Sequence, residues 1–225
     1  MSKRIYKFTS AEHTISSMKN KRLKASTICD LNDPFDLNPV DVTDPAIRAA
    51  VEKCFEHFWK TRAILCFSRN WDNLLMWSHY GKSHGGVCLG FDVAESEPGA
   101  DYDTDVHYQP NVLQIRCPGD VNLNLVERML RTKHDSWSYE QEVRMFVGLN
   151  DPPDANGRNW IEFGSQLVLK EVIIGVNCPP AASMEVKAAV ESYGEPVELW
   201  WAGMRPDAFL LVKQDHPPDW QATVK

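Results

Sequence analysis

Segments that read as strands and segments that read as helices follow one another in this chain without regular alternation, and no motif returns at a fixed period. Such an order does not build a doubly wound parallel sheet, whose units need strand and helix in turn. It predicts an α+β fold with a mixed, mainly antiparallel sheet flanked by helices. With 225 residues, 43% of them hydrophobic, the folded chain is expected to bury roughly 70–75% of the surface that its unfolded form exposes. One domain over residues 1–225 therefore closes its core without a metal or disulfide staple. The six cysteines, Cys29, Cys54, Cys66, Cys88, Cys117 and Cys178, contain no C-x-x-C pair and are expected to be reduced. Cys66 and Cys88 sit in apolar runs, Ile64-Leu65-Cys66-Phe67 and Val87-Cys88-Leu89, and read as small hydrophobes.

Arg4 to Phe8 alternates like a short strand, and Thr9-Ser10-Ala11-Glu12 matches a capping box opening a helix that ends near Asn20. A brief extended piece follows at Leu23 to Ile28, then a turn-dense loop, Asp30-Leu31-Asn32-Asp33-Pro34-Phe35-Asp36. Asp44-Pro45 supplies an N-cap and an N1 proline for a helix with Ile47, Val51, Phe55, Phe58 and Trp59 on its apolar side. Arg62 to Ser68 reads as a buried strand, Asp72 as the cap of a helix through Tyr80, and Val87 to Asp92 as a strand. Glu95 to Asp105 is expected to be a surface loop, Val106–Tyr108 with Val112–Arg116 a hairpin, and Val121 to Lys133 a helix. Strands are predicted at 142–149, 160–163, 167–176, 197–201 and 208–212, with a helix from Pro180 to Tyr193 closed by Gly194.

Charge narrows the partners. The formal net charge is −7, yet residues 1–24 carry seven basic side chains against one acid, +6, which leaves −13 on the remainder. An acidic body does not wrap duplex nucleic acid, whereas a basic corner can receive the phosphates of a nucleotide or an RNA end. No window approaches the roughly 18 unbroken apolar residues of a membrane span, and Met-Ser-Lys-Arg-Ile-Tyr-Lys-Phe lacks the apolar stretch of a signal peptide. A cytoplasmic protein with no membrane partner is the expectation.

Several familiar sites are excluded. Gly81-Lys82-Ser83 resembles the end of a phosphate loop, but Met76 stands where the earlier glycine is required. Neither G-x-G-x-x-G after a strand nor G-x-S-x-G occurs. His79, His84, Cys88 and Asp92 match no metal-ligand spacing, so no metal is expected. The most informative stretch is Trp137-Ser138-Tyr139-Glu140-Gln141-Glu142-Val143-Arg144. If it is extended, Glu140, Glu142, Arg144 and Phe146 share one face, and Val143, Met145 and Val147 form the core face. That polar face is open to two readings: a site in which Arg144 keeps a carboxylate ionised, or a row of surface ion pairs.

Tyr6-Lys7-Phe8, Leu31-Asn32-Asp33-Pro34-Phe35-Asp36, Cys66-Phe67-Ser68, Met76-Trp77-Ser78-His79-Tyr80-Gly81, His84-Gly85-Gly86-Val87-Cys88-Leu89-Gly90-Phe91-Asp92, Val106-His107-Tyr108, Lys133 and the Trp137–Arg144 stretch occur in this order. Together they resemble the prokaryotic family known as domain of unknown function 2971. That label implies no established reaction, but it singles out the polar residues inside these blocks.

A second resemblance is to the ADP-ribosyltransferase fold of the arginine-serine-glutamate type. The matching positions are Lys7 (or Arg4), Ser68 and Glu140-Gln141-Glu142, with Lys7 where an arginine is usual and a lone Ser68 where that group has Ser-Thr-Ser. The resemblance implies NAD as substrate and Glu142 as the carboxylate facing the ribose oxocarbenium. It implies Glu140 as the group that orients the acceptor or takes its proton, Ser68 near the nicotinamide, Lys7 at a phosphate, and Tyr6 among the cofactor-binding residues. Trp77 or Tyr80 would stack on the nicotinamide, with His79 orienting the ligand and Asn32, Asp33 and Arg144 on the substrate side. By analogy the chain would then be an ADP-ribosyltransferase or NAD glycohydrolase acting as a toxin or phage-defence effector. The alternative is a non-catalytic module that binds a nucleotide or a protein through the Asn32 to Asp36 loop and the aromatic surface of Trp77 and Tyr80.

Overall fold

A computed structural model describes residues 3–27, 30–93, 104–149 and 153–218. In chain order the strands and helices are β1 (Lys3–Thr9), α1 (Ala11–Asn20), β2 (Arg22–Ala25), α2 (Pro45–Thr61), β3 (Arg62–Ser68), α3 (Leu74–His79), β4 (Val87–Val93), β5 (Thr104–Asp105) and β6 (His107–Gln109). There follow α4 (Leu123–Arg131), β7 (Thr132–His134), β8 (Glu142–Gly148), β9 (Asn159–Glu162), β10 (Leu167–Ile174), α5 (Pro180–Glu191), β11 (Glu198–Met204) and β12 (Leu211–Gln214). The fold is α+β. The expected Glu95 to Asp105 loop lies outside the described residues except for its last two, which form β5; Ile28, Cys29, Asp151 and Pro152 also lie outside them.

The chain divides into two compact units. Unit 1 comprises Met1–Leu23, Phe67–Glu95 and Glu162–Lys225, and unit 2 comprises Lys24–Cys66 and Ser96–Ile161. In unit 1 the strand order is β12-β11-β10-β4-β1. β1 pairs antiparallel with β4 over its whole length, Lys3↔Val93 to Thr9↔Val87, and its Tyr6 also pairs with Ser68 at the end of β3. The amino-terminal segment is thus a sheet strand, as its alternation predicts. β10 is antiparallel to β4 and parallel to β11, the crossover being α5, which makes the sheet mixed but mainly antiparallel. Ile5, Leu89, Phe91, Val172 and Ile173 are buried in this unit.

In unit 2 the strand order is β3-β8-β5, with β6 and β7 forming a separate parallel pair. One apolar cluster holds it together: Ile47, Val51 and Phe55 of α2, Leu125 and Met129 of α4, and Phe146 of β8 pack with Leu37, Val40 and Leu113. The Asp44 cap is as expected, its Oδ1 accepting the Ala46 and Ile47 N–H groups at 2.7 and 3.3 Å.

Four local expectations need correction. Thr9 is held in β1 opposite Val87, so the cap of α1 passes to Ser10, whose Oγ accepts the His13 N–H at 3.2 Å. The cap of α3 is Asn73, whose Oδ1 accepts from Leu75 and Met76 at 2.9 and 3.2 Å, because the helix starts one residue later than Asp72 allows. There is no Val106–Arg116 hairpin: β6 pairs parallel with β7, while buried Leu113 bridges Val40 and enters the apolar cluster. Burial of Leu113 against α2 and α4 outweighs the local turn. Finally, the Trp137–Arg144 stretch is extended only from Glu142, because Asp135–Glu140 forms a 3-10 turn and Gln141 is left-handed at φ 42°.

Gly86, where α3 hands over to β4, has no room for a side chain: a Cβ there would sit 2.3 Å from the Thr9 carbonyl oxygen and 3.0 Å from that of Gly81. Gly86→Ala should therefore lower stability by about 1–3 kcal/mol in thermal or urea unfolding. Gly164, whose Cβ would meet nothing within 4 Å, is the control, and Gly164→Ala should leave the midpoint unchanged or slightly raised.

Candidate functional site

The polar face of β8 is buried. Alternation from Glu142 places Glu142, Arg144 and Phe146 on one side of the strand, and all three lie within the interior of unit 2. Arg144 has no exposed surface. Its Nε donates to Glu142 Oε1 at 2.9 Å and its Nη2 to Glu142 Oε2 at 2.9 Å, a bidentate pair. Nη2 also donates to Asp36 Oδ1 at 2.7 Å, and Nη1 donates to the Leu130 carbonyl at 3.0 Å.

Asp36 arrives from the turn-dense loop. Asp33 Oδ1 accepts the Phe35 N–H at 2.9 Å, its carbonyl accepts the Asp36 N–H at 3.0 Å, and Leu37 is left-handed at φ 60°. This tight turn sends Asp36 inward and leaves Phe35 71% exposed.

A second cation completes the network. Lys133 on β7 is 4% exposed; its Nζ donates to Glu140 Oε2 at 2.6 Å and Glu142 Oε2 at 3.2 Å and lies 3.4 Å from Asp36 Oδ2. The 3-10 turn and left-handed Gln141 bring Glu140 back to this cation even though it is not part of the strand. Nζ also lies 4.9 Å from the centre of the Trp137 ring. Three carboxylates, Asp36, Glu140 and Glu142, thus share these two cations.

Burial disfavours the charge on Glu142, but Arg144 and Lys133 outweigh it and pull the carboxyl down to about 2. Burial likewise opposes the charge on Lys133 and Arg144, and Glu142 and Asp36 outweigh it and raise both. Tyr108 Oη accepts the Glu142 N–H at 2.8 Å, and burial pushes this phenol up to about 12.

Lys133 and Asp33 open onto a cavity of about 320 Å³, whose walls are largely apolar: Phe35, Pro39, Pro110, Val112 and Trp137. A second cavity of about 330 Å³ abuts it, sharing Gln109 and Thr132 as wall and adding His107, Glu127, Arg128 and Arg131.

Of the residues expected from sequence, unit 2 brings Glu140, Glu142 and Arg144 together with the loop carrying Asn32 and Asp33. Tyr6, Lys7, Ser68, Trp77, His79 and Tyr80 belong to unit 1. Trp77 offers no face to a nicotinamide ring, which corrects that expectation: it is fully buried, donates from Nε1 to the Trp71 carbonyl at 2.6 Å, meets the Phe8 ring edge-on at 5.2 Å and stacks on His84 at 6.5 Å. Ser68 is also fully buried, its Oγ accepting the Asn70 N–H at 3.2 Å. Lys7 Nζ lies 6.0 Å from the Phe67 ring centre, and the rings of His79 and Tyr80 are 6.3 Å apart. Tyr6 sits beside Glu171, and burial together with that carboxylate raises its pKa. In the same unit Glu171 Oε1 accepts from Arg4 Nη1 at 3.1 Å, while Lys213 bonds to Glu171 and Arg4 Nε to Asp92. Among the described residues, no group of three or more His, Cys, Asp or Glu side chains is arranged to hold a metal ion.

Asp36, Lys133, Phe35 and Trp137 all lay inside the family motifs but were not named as site residues, because nothing in the pattern showed that Asp36 and Lys133 are buried together or that the two rings wall a cavity.

Residues 76–145, from α3 to β8, match a family model described as "Protein of unknown function (DUF2971)". This bears out the resemblance read from the motifs. No curated protein and no solved structure matches the chain. No helix among the described residues is long and apolar enough to cross a membrane.

The network makes a stability prediction. Glu142→Gln breaks the bidentate pair with Arg144 and turns an amide N–H2 towards two buried cations, so it should cost about 3–5 kcal/mol at pH 7. Because folding depresses the Glu142 pKa, the stability tied to its charge is complete above its ordinary value of 4.5 and is lost as the pH falls towards about 2. Urea unfolding of the wild type should weaken across that window, and the variant should show a shallower acid slope. An unchanged midpoint for Glu142→Gln at pH 7 would contradict the network as described.

Proposed function

We propose that this chain, whose residues 76–145 carry the DUF2971 match, works as a nucleotide-binding module, with the cavity of unit 2 holding the nucleobase. The observation that carries the reading is the combination of aromatic walls and polar groups in that cavity: Phe35 and Trp137 stand beside Asp33 and Lys133, the lysine held in place by Asp36, Glu140 and Glu142. About 320 Å³ is at the small end of ligand pockets and suits a planar ring. Aromatic walls stack such a ring, and the Asp33 carboxylate in the lining can accept from the N–H donors that nucleobases present at their amino and ring nitrogens.

The same geometry favours binding over ADP-ribosyl transfer. A carboxylate that stabilises an oxocarbenium must face it with its charge uncompensated. Glu142 is 4% exposed, and its two oxygens accept from both Arg144 nitrogens and from Lys133. Its charge is therefore spent on neighbouring cations, and its role in this reading is to hold Arg144 and Lys133.

The test is calorimetric titration of the purified chain with adenosine, guanosine, their phosphates and NAD, alongside an assay for released nicotinamide. Saturable binding without nicotinamide release is expected, and Trp137→Ala should weaken it about 5- to 150-fold, the equivalent of about 1–3 kcal/mol for a lost stacking contact. Failure of every compound to bind would overturn the proposal. Nicotinamide release that disappears in Glu142→Gln, with folding retained, would return the chain to the transferase reading.

A further inference from the structure

Behind the shared wall of Gln109 and Thr132, the second cavity differs in charge from the first. Arg128 and Arg131 lie three residues apart in the last turn of α4, on one side of the helix, and both line this cavity. Both are exposed, and neither side chain has an ion pair or hydrogen bond among the described residues. The His107 imidazole and the Glu127 carboxylate complete the charged lining. The lining of this lobe thus carries two guanidinium groups against one carboxylate, while that of the neighbouring lobe carries Lys133 against Asp33.

The geometry points to a phosphate subsite at Arg128 and Arg131, so that the two abutting cavities together take a nucleoside phosphate with its base against Trp137 and its phosphates at the α4 end. This inference rests on the nucleobase reading above and adds the ligand's charged half and its polarity. Two features argue for this orientation. Guanidinium groups bind phosphate oxygens through paired N–H donors in a planar fork, and a pair left without acidic partners is free to do so. In the ring lobe the lysine in the wall, Lys133, is already paired with Asp36, Glu140 and Glu142, so a ligand entering the opposite way round brings its phosphates to a committed cation. Thr132, between the lobes, has its hydroxyl committed to the Arg128 carbonyl at 2.7 Å, which fixes the dividing wall to the helix that carries the arginines.

The test compares adenosine, AMP, ADP and inorganic pyrophosphate, with the guanosine series in parallel, on the wild type and on Arg128→Gln/Arg131→Gln. Both positions are exposed, so the double variant should keep the wild-type melting temperature. Wild-type protein should bind the diphosphate at least tenfold more tightly than the nucleoside, with the difference shrinking as salt rises from 0.05 to 0.3 M. The double variant should bring the diphosphate to the affinity of the nucleoside and leave the nucleoside within twofold of wild type. Equal wild-type affinity for nucleoside and diphosphate, or a preference that survives the double substitution, would overturn the subsite. The base reading fails separately: if pyrophosphate binds through the two arginines but no nucleoside binds, the phosphate subsite stands and the nucleobase cavity falls. Absence of binding by nucleosides, nucleotides and pyrophosphate alike overturns both.

Discussion

The Arg144 guanidinium, with no surface left to water, is the group around which unit 2 is arranged. Enclosing a permanent cation is costly unless its donors meet acceptors, and Arg144 meets Glu142 through two donors, Asp36 through one and the Leu130 carbonyl through another. These partners come from β8 itself, from the turn after Asp33 and from the last turn of α4. A buried pair of this kind adds little net stability over an apolar core of the same volume. Its contribution is directional: the guanidinium plane is satisfied only when the loop, the helix end and the strand hold one mutual position. The apolar cluster around Phe55 and Met129 supplies the driving force and, lacking direction, leaves that position to Arg144.

Lys133 follows from the same arrangement. Once Asp36 and Glu142 converge on Arg144, each has an oxygen turned towards β7, and a second cation lies within 3.4 Å of both. Glu140 joins only because Gln141 adopts a left-handed conformation, which interrupts what would otherwise be a continuous strand. This conformation typically costs a non-glycine residue about 1 kcal/mol or more, and here it comes with a third carboxylate at Lys133. The third carboxylate at Lys133 therefore depends on one residue's backbone angle.

Much of the fold was legible in the sequence because local signals and burial agreed. Asp44-Pro45 capped α2, Arg62–Ser68 proved to be β3 to the residue, and β1 entered the sheet. The misses share one cause: a long-range partner overrode a local preference. Leu113 left a plausible hairpin for the core beside Val40, and Thr9 gave up its cap to remain paired with Val87. In the site, the types and grouping of Glu140, Glu142 and Arg144 were legible, but their burial was not, because alternation identifies a face and not what covers it. Trp77 illustrates the converse. An aromatic in a polar-looking Trp-Ser-His-Tyr block read as a ligand platform, yet the Gly81 and Gly175 backbones close on its ring, where a Cβ on either would lie within 3.0 Å of an indole carbon.

The two units handle buried charge differently. In unit 1, Glu171 and Asp92 are matched by Arg4 and Lys213, two acids to two bases, and Gly90 leaves room for the Glu171 side chain, whose Cγ would stand 2.5 Å from a Cβ there. That cluster is neutral and calls for no further partner. In unit 2, the contacts described join three acids to two bases, and Lys133 carries that network to the wall of a cavity lined by Phe35 and Trp137. Lys133 keeps its place there through Asp36 and Glu142, the carboxylates it shares with Arg144, so the form of that wall follows from where the guanidinium holds them.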